Sequence, residues 1–369
     1  MKIEDKDATF SALFAAVKPG ELHIVTGKNG TGKSRFFQQS TLEAIDEVKS
    51  THSRYARLIC MSGTMHDKYP REVYMSGNEP GRPIVYLGNK VNNNMISDIS
   101  PFRTLAVFML NPGNNAYKHI QLIGDLLGGI GFETKFTFRF RFGKGKKSAA
   151  AQEVSRDFEV DLNDMQKFTD EAPNVLAHIL DGNLILSDFE LERKGKRYSL
   201  IDLSSGEKQY ILALLGVSFC AAPDSIIFFD EPENSMHPAW QLRISKDIST
   251  AMQQIHGGAT MLIATHSPLI ASASTDESFF ICDFPEQKMW ERVKLFGRNS
   301  DSVLRERFHL ISARSPEVTE LIGDCLRSIS SGETDTQTFL SLQERLRSME
   351  LSLDDRDPLT NTVKTILSI

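Results

Sequence analysis

Gly27 to Ser34 read GKNGTGKS, which fits G-x-x-x-x-G-K-[ST], directly behind the apolar run LHIVTG and ahead of a helical pattern over 33–49. Strand, glycine loop and helix in that order are the context such a loop requires. Glycines let the backbone curl around phosphates, while amide N–H groups and the helix N-terminus supply positive potential. The lysine reaches the β and γ phosphates and the hydroxyl holds Mg²⁺. Gly27, Asn29, Gly30, Thr31, Gly32, Lys33 and Ser34 are therefore the expected ATP-binding residues, Lys33 with a catalytic share and Ser34 as a metal ligand. Such a loop needs a parallel sheet behind it. RLICMS at 57–62, SIIFFDE at 225–231 and TMLIATH at 260–266 are apolar nearly throughout, as strands buried on both faces are. An α/β core follows, with further helices expected over 207–221 and 238–258, the latter closing on Gly-Gly.

The ends of these strands carry the rest of the chemistry. In IIFFDEPENSMHP, Asp230 ends a buried strand and can hold the Mg²⁺ shell, and Glu231, one residue further, can orient or deprotonate an attacking water. In LIATHSP, His266 ends another apolar strand, placed to sense a γ-phosphate. The heptapeptide LSSGEKQ, 203–209, is polar and flexible, yet it heads YILALLGVSFCAA, one of the most apolar runs in the chain. Ser204 offers a hydroxyl and Gly206 close backbone approach at a helix N-terminus, which suits an anion.

These pieces, in this order, resemble the ATP-binding-cassette (ABC) ATPases on both sides of an insertion. Gly27 to Ser34 match the Walker A loop, Leu203 to Gln209 the signature, Asp230 and Glu231 the Walker B pair, Glu233 to His237 the D-loop, and His266 the switch histidine. LSSGEKQ and DEPENSMHP look more like the SMC, RecF and OLD-type branch than like transporter subunits, whose pattern is nearer LSGGQ and DEPTSALD. MSGTMHDKYP, YLGNKVNNNMIS and LFGRNSDSVLRERF look like the stand-alone ATPases of prokaryotic anti-phage systems, Septu- and PARIS-like subunits among them. The resemblance implies a P-loop NTPase of ABC type. In it nucleotide lies between two heads, with Ser204, Ser205 and Gly206 of one copy capping the γ-phosphate held by the other. A homodimer, or a higher oligomer, would then complete two sites with ATP and Mg²⁺. Two positions depart from the pattern: Ser205 stands where glycine is usual, and Glu207 replaces glutamine, a carboxylate that would slow closure. For the Q-loop the residues after RLICM offer Ser62 and Asp67, and for adenine stacking Phe10 or Phe14.

The segment between the motifs differs in character. ETKFTFRFRF alternates Phe136, Phe138, Phe140 and Phe142 with Lys135, Thr137, Arg139 and Arg141, as a half-buried antiparallel strand does. The expected organisation is an ATPase core over 1–84 and 200–297, an inserted mixed α/β lobe over 85–199, and a C-terminal helical hairpin within 298–369. The hairpin's helices would open on cap-like Ser and Asp residues. No strand-borne acidic site of a second enzyme shows in the tail, where LDDRDP reads as a loop.

Charge and cysteine usage narrow the class further. A net charge of −6 gives no global field for nucleic acid, so DNA contact would rest on Arg139, Arg141, Lys144, Lys146 and Lys147 at an expected hairpin tip. Cys60, Cys220, Cys282 and Cys325 stand far apart, which suggests reduced thiols rather than disulfides or zinc. MKIEDKD lacks a secretory pattern, and the apolar run near 210–222 is too short to span a bilayer. A cytoplasmic protein without membrane contact is expected. Its expected role is the sensor or scaffold of a defence complex that holds a nuclease or toxin effector. A RecF/SMC-like ATPase clamping DNA is the alternative, and a transporter subunit fits the D-loop pattern poorly.

Overall fold

The computed structural model describes residues 3–77, 79, 81–92, 94–143, 155–272, 279–293, 316–349, 351 and 358–369. Two compact units divide the chain, Met1–Gly297 and Arg298–Ile369.

In the first unit the four expected apolar runs become β1 (Leu22–Thr26), β2 (Arg57–Ser62), β10 (Ser225–Asp230) and β11 (Thr260–Ala264). The remaining strands in chain order are β3 (Ile84–Leu87), β4 (Lys90–Asn92), β5 (Met95–Ile96), β6 (Lys135–Phe142), β7 (Asp157–Asp161), β8 (Leu184–Arg193), β9 (Lys196–Ser199), β12 (Phe279–Asp283) and β13 (Glu291–Arg292). The main sheet runs β13-β12-β1-β11-β10-β2-β3. All its neighbours pair in parallel except β12 with β13 at the edge. The core sheet therefore continues through β3 to Leu87, across the residue-84 edge expected for it. Every residue of β1, β10 and β11 is buried, so both faces of the sheet are covered.

The glycine loop's helix, Lys33–Val48, buries Lys33, Phe36, Phe37, Ser40, Thr41, Ala44 and Ile45, one stripe at helical spacing laid on the sheet. Phe37 meets Phe228 of β10 edge to face at 5.2 Å, and Phe14 of the N-terminal helix Ile3–Ala15 lies 6.1 Å from Phe228. Truncating a ring so enclosed costs about 3–5 kcal/mol. The signature helix, Ser205–Cys220, is buried from Tyr210 to Cys220 without interruption, as a helix in the middle of a core must be.

A four-stranded antiparallel sheet, β7-β6-β8-β9, forms the lobe. Phe136, Phe138 and Phe140 point inward with Phe158 and Phe189, and Phe102 of the helix Ser100–Met109 stacks on Phe189 at 5.6 Å. That helix packs against both β8 and the signature helix, and so joins lobe to core. Thr137 departs from the expected alternation, being buried although it shares a face with Arg139. Arg139 reaches Glu190 at 2.7 Å and Asp157 at 3.8 Å, and Arg197 reaches Glu159 at 2.6 Å. The outer face of the sheet is thus a ladder of paired charges. Arg141 is exposed on β6, while Lys144, Lys146 and Lys147 lie outside the described residues.

Among the described residues the second unit has three helices, Pro316–Ser330, Gln337–Ser348 and Pro358–Ser368, around Leu321, Ile322, Cys325, Phe339, Leu346, Val363 and Ile366. A third helix joins the hairpin expected from sequence. Thr336 rather than Asp335 caps the second helix, because its hydroxyl accepts from the Phe339 amide at 3.2 Å. LDDRDP lies outside the described residues over 353–357, but its Pro358 opens a helix.

Candidate active site

Register in the main sheet sets Asp230 beside Ser62 on one side and Ala264 on the other. The carboxyl ends of β1, β10, β11 and β2 therefore meet at one edge, the edge where α/β sheets bind ligands. A cleft of about 650 Å³ opens there. Its floor is Asn29, Gly30, Thr31, Gly32, Lys33 and Ser34, with Asp230 and Glu231 on one side and Thr64, His66 and Lys68 after β2. Arg35, with Thr9, Phe10 and Leu13 of the N-terminal helix and Phe284, Pro285, Gln287 and Lys288 from the β12–β13 turn, completes the lining.

The loop geometry depends on glycine where expected. Gly27, Gly30 and Gly32 have φ of 137°, 82° and 115°, values that favour residues without a side chain. A Cβ on Gly27 would also lie 2.3 Å from the Phe284 carbonyl oxygen. The Lys33 ammonium donates to the carbonyls of Gly27 at 2.7 Å and Lys28 at 3.0 Å. Burial pulls this group below its usual pKa, while Glu231, Glu233, Asp230 and Asp283 pull it up. It is a desolvated cation facing carboxylates, available to a polyphosphate at small reorganisation cost.

Asp230 is 4% exposed, and its Oδ1 has no hydrogen-bond partner among the described residues. Burial, then the charges of Glu231, Asp67 and Glu233, push its carboxyl up to about 7, with Lys33 opposing. A buried unpaired carboxylate oxygen is costly unless a cation meets it. With the Ser34 hydroxyl, which lines the same cleft, it offers the hard oxygen donors that suit Mg²⁺.

Glu231 has φ of 49°, uncommon for a residue with a side chain. Its amide donates to Ala264 at 2.8 Å, and its carboxylate accepts from Asn234 at 3.0 Å. Gly63 permits this turn: a Cβ there would lie 2.0 Å from the Glu231 carbonyl oxygen. His266 does not line the cleft. Its Nδ1 lies 3.0 Å from Glu233, whose carboxylate also accepts the His266 amide at 2.6 Å and the Ser267 amide at 3.2 Å. Burial alone would raise the Glu233 pKa, but hydrogen bonds from His266 and Thr265 outweigh it and hold the group below its usual value. That hydrogen bond is also the main cause of the raised His266 pKa.

The signature residues Ser204, Ser205 and Gly206 likewise stand away from this cleft. Ser204 caps the signature helix, its hydroxyl accepting from the Glu207 amide at 3.2 Å while its amide donates to the Glu207 carboxylate at 2.9 Å. Glu207 turns inward onto Arg193 at 2.5 Å. Read from sequence as a loose charge beside phosphate, it is instead a neutralised part of a capping box. Gly206 fits because a Cβ would lie 2.4 Å from the Ser235 carbonyl oxygen, which binds the signature to the D-loop segment.

Two sequence expectations change here. Neither Ser62 nor Asp67 lines the cleft: the Ser62 hydroxyl donates to the Thr64 carbonyl at 3.2 Å, and buried Asp67 accepts from Tyr86 at 2.5 Å and pairs with Lys90 at 3.4 Å. The residues that do reach the cleft are Thr64, His66 and Lys68. Of the two candidate aromatics only Phe10 lines it, and Phe14 lies in the core. Gly63 and the Phe284–Pro285 turn were missed altogether. They act through contacts far away in sequence and carry no local signature.

Residues 89–272, just under half of the chain, match the domain family described as "AAA domain, putative AbiEii toxin, Type IV TA system". The matched segment holds Ser204 to Gly206, Asp230, Glu231 and His266 and begins after the P-loop. No curated protein gave a match. Among solved structures, UvrA2 from Deinococcus radiodurans is 15% identical, with TM-score 0.33, covering 78% of this chain and 36% of its own. The chain thus spans about a third of that protein. For cbiO1 from Clostridium perfringens, part of the ABC transporter complex cbiONQ, the figures are 13%, 0.29, 83% and 89%. For the SmcHead bound to the C-winged helix domain of ScpA they are 12%, 0.33, 74% and 89%. Superpositions this loose say nothing of function. Glycine loop, mainly parallel sheet order and the acidic end of β10 give this chain the α/β fold of a P-loop NTPase, and just under half of it matches an AAA domain family.

Proposed function

We propose that the protein is an ATPase that assembles as a dimer around ATP and Mg²⁺ and acts as a switch on an effector protein in anti-phage defence. One observation carries the ATP-sandwich reading. The cleft holds the phosphate loop, Asp230 and Glu231, while Ser204 to Gly206, chemically fitted to an anion at a helix N-terminus, do not line it. A second copy would bring those residues over the phosphates.

In that assembly Lys33 and the loop amides bind and orient the polyphosphate. Ser34 and Asp230 would hold Mg²⁺, which supplies charge neutralisation when bound. Glu231, held by Asn234, accepts the proton of the attacking water. His266, held by Glu233, would sense the γ-phosphate in the closed assembly. Loss of that phosphate removes the contacts favouring the closed state, so occupancy becomes a signal. The matched family, described as "AAA domain, putative AbiEii toxin, Type IV TA system", supports a defence setting.

The test is phosphate release by the purified chain with ATP and Mg²⁺, beside affinity capture from its native host. Turnover that Glu231→Gln abolishes, and recovery of a nuclease or toxin, are the expected results. A chain that neither binds nor hydrolyses ATP refutes the first part, and capture of a DNA-repair assembly without an effector refutes the second. For the DNA-clamping alternative, Arg139 is already engaged by Glu190 and Asp157. Salt-sensitive DNA binding lost on changing Lys144, Lys146 and Lys147 to Glu would favour it.

A further inference from the structure

Arg193, the last residue of β8, belongs to the lobe, and Glu207 belongs to the first turn of the signature helix. Their side chains meet at 2.5 Å, with 28% and 14% of their surfaces exposed. The guanidinium is held from other directions too, 4.1 Å over the ring of Phe132 and 5.6 Å over that of Tyr198. Its Nε is buried without a hydrogen-bond partner among the described residues.

Glu207 divides its carboxylate. Oε1 takes Arg193, while Oε2 accepts both the amide and the hydroxyl of Ser204, each at 2.9 Å. One carboxylate thus spans from a lobe strand to the residue that heads the signature. Hydrogen bonds from Arg193 and Ser204 outweigh burial and keep Glu207 ionised, so the bridge is charge-assisted on the arginine side. Ser204 is otherwise exposed. Among the described residues, its helix cap and this bridge are what orient its hydroxyl.

We infer that Arg193 is a positioning residue: acting through Glu207, it sets the Ser204 hydroxyl for the nucleotide held by a second copy and transmits movement of the β6–β9 sheet to the signature. This rests on the ATP-sandwich reading above. It gives the lobe a task, since anything that displaces β8 alters assembly without touching the P-loop. It also accounts for Glu207, which replaces a neutral side chain with one that an arginine can hold.

The test uses the full chain and three variants, Arg193→Met, Arg193→Lys and Glu207→Gln, with the double variant Arg193→Met/Glu207→Gln. Affinity for a fluorescent ATP analogue, kcat, and the protein concentration giving half-maximal specific activity are measured for each. Arg193→Met is expected to keep nucleotide affinity within about twofold and to lose on the order of tenfold or more in kcat, as small misplacements of a reacting contact do. Its concentration midpoint rises, Arg193→Lys recovers part of the loss, and the double variant is no worse than Glu207→Gln alone. Additive losses in the double variant, or an Arg193→Met whose kcat and midpoint match wild type, overturn the proposal. If wild-type specific activity is independent of protein concentration and the chain stays monomeric with ATP, the sandwich reading fails, and the proposal with it.

Discussion

Replacing Gly63 by alanine separates packing from chemistry in this cleft. Gly63 follows β2, and its amide donates to the Asp230 carbonyl at 2.9 Å. The new Cβ would lie 2.0 Å from the Glu231 carbonyl oxygen and 3.0 Å from its carbon. That obstacle is backbone, tied to β11 by the Glu231 amide bond to Ala264, so it cannot swing aside as a side chain can. Ordinary contact begins near 3.4 Å, so the two loops must part by about 1.4 Å. Overpacking of this kind costs about 1–3 kcal/mol. Reduced freedom of the unfolded chain returns about 0.4–1 kcal/mol. The net loss of about 1–2 kcal/mol corresponds to roughly 2–3 °C in melting temperature for a unit of this size. The catalytic effect is larger, because shifting Glu231 by an ångström costs on the order of a hundredfold in rate. Thermal melting, phosphate release and nucleotide titration measure the three quantities separately. Gly128→Ala is the control, having no heavy atom within 4 Å of its new Cβ and no positive φ, and it should melt at or above wild type. A Gly63→Ala protein that melts and turns over like wild type would refute the reasoning.

Lys33→Ala should abolish ATP binding, because it removes the desolvated cation at the loop; a fluorescent-nucleotide titration checks it. Ser204→Arg should leave that titration unchanged but suppress turnover, since Ser204 lies outside the chain's own cleft. Acid stability should depend on His23, which burial drives down to about 3 and which stacks on Phe280 at 5.0 Å. Below the ordinary value of 6.5 the unfolded chain takes up a proton that the folded chain refuses until about 3. The neutral ring's contribution is therefore complete above about 6.5 and falls as pH drops, by up to about 1.4 kcal/mol per pH unit. Urea midpoints at pH 7.5 and 4.5 should lie closer together for His23→Phe than for wild type.

The parts of the site legible in sequence are those whose chemistry is local. GKNGTGKS carries its own strand, turn and helix signals, and SIIFFDE shows a buried strand ending in carboxylates. The parts that were not legible depend on contacts between distant segments. Glu233 reads as a member of the D-loop, yet it holds His266 from 33 residues away. Glu207 reads as an odd substitution until Arg193, on another strand, supplies its partner. Asp67 follows a strand end and reads as a candidate for the Q-loop position, but Tyr86 and Lys90 claim it in the core. β12 also escaped notice, although Thr26 of β1 bonds its Asp283 at 3.0 Å. Its apolar stretch, FFIC, is too short to stand out by periodicity alone.

The central claim is that the signature of one copy completes the cleft of another. Native mass spectrometry of Glu231→Gln with ATP and Mg²⁺ tests it most directly, because removing the base leaves phosphate contacts intact while turnover stops. The expected result is a dimer carrying two ATP, absent without nucleotide and absent when Ser204→Arg is added. A monomer that binds one ATP at every concentration would contradict it.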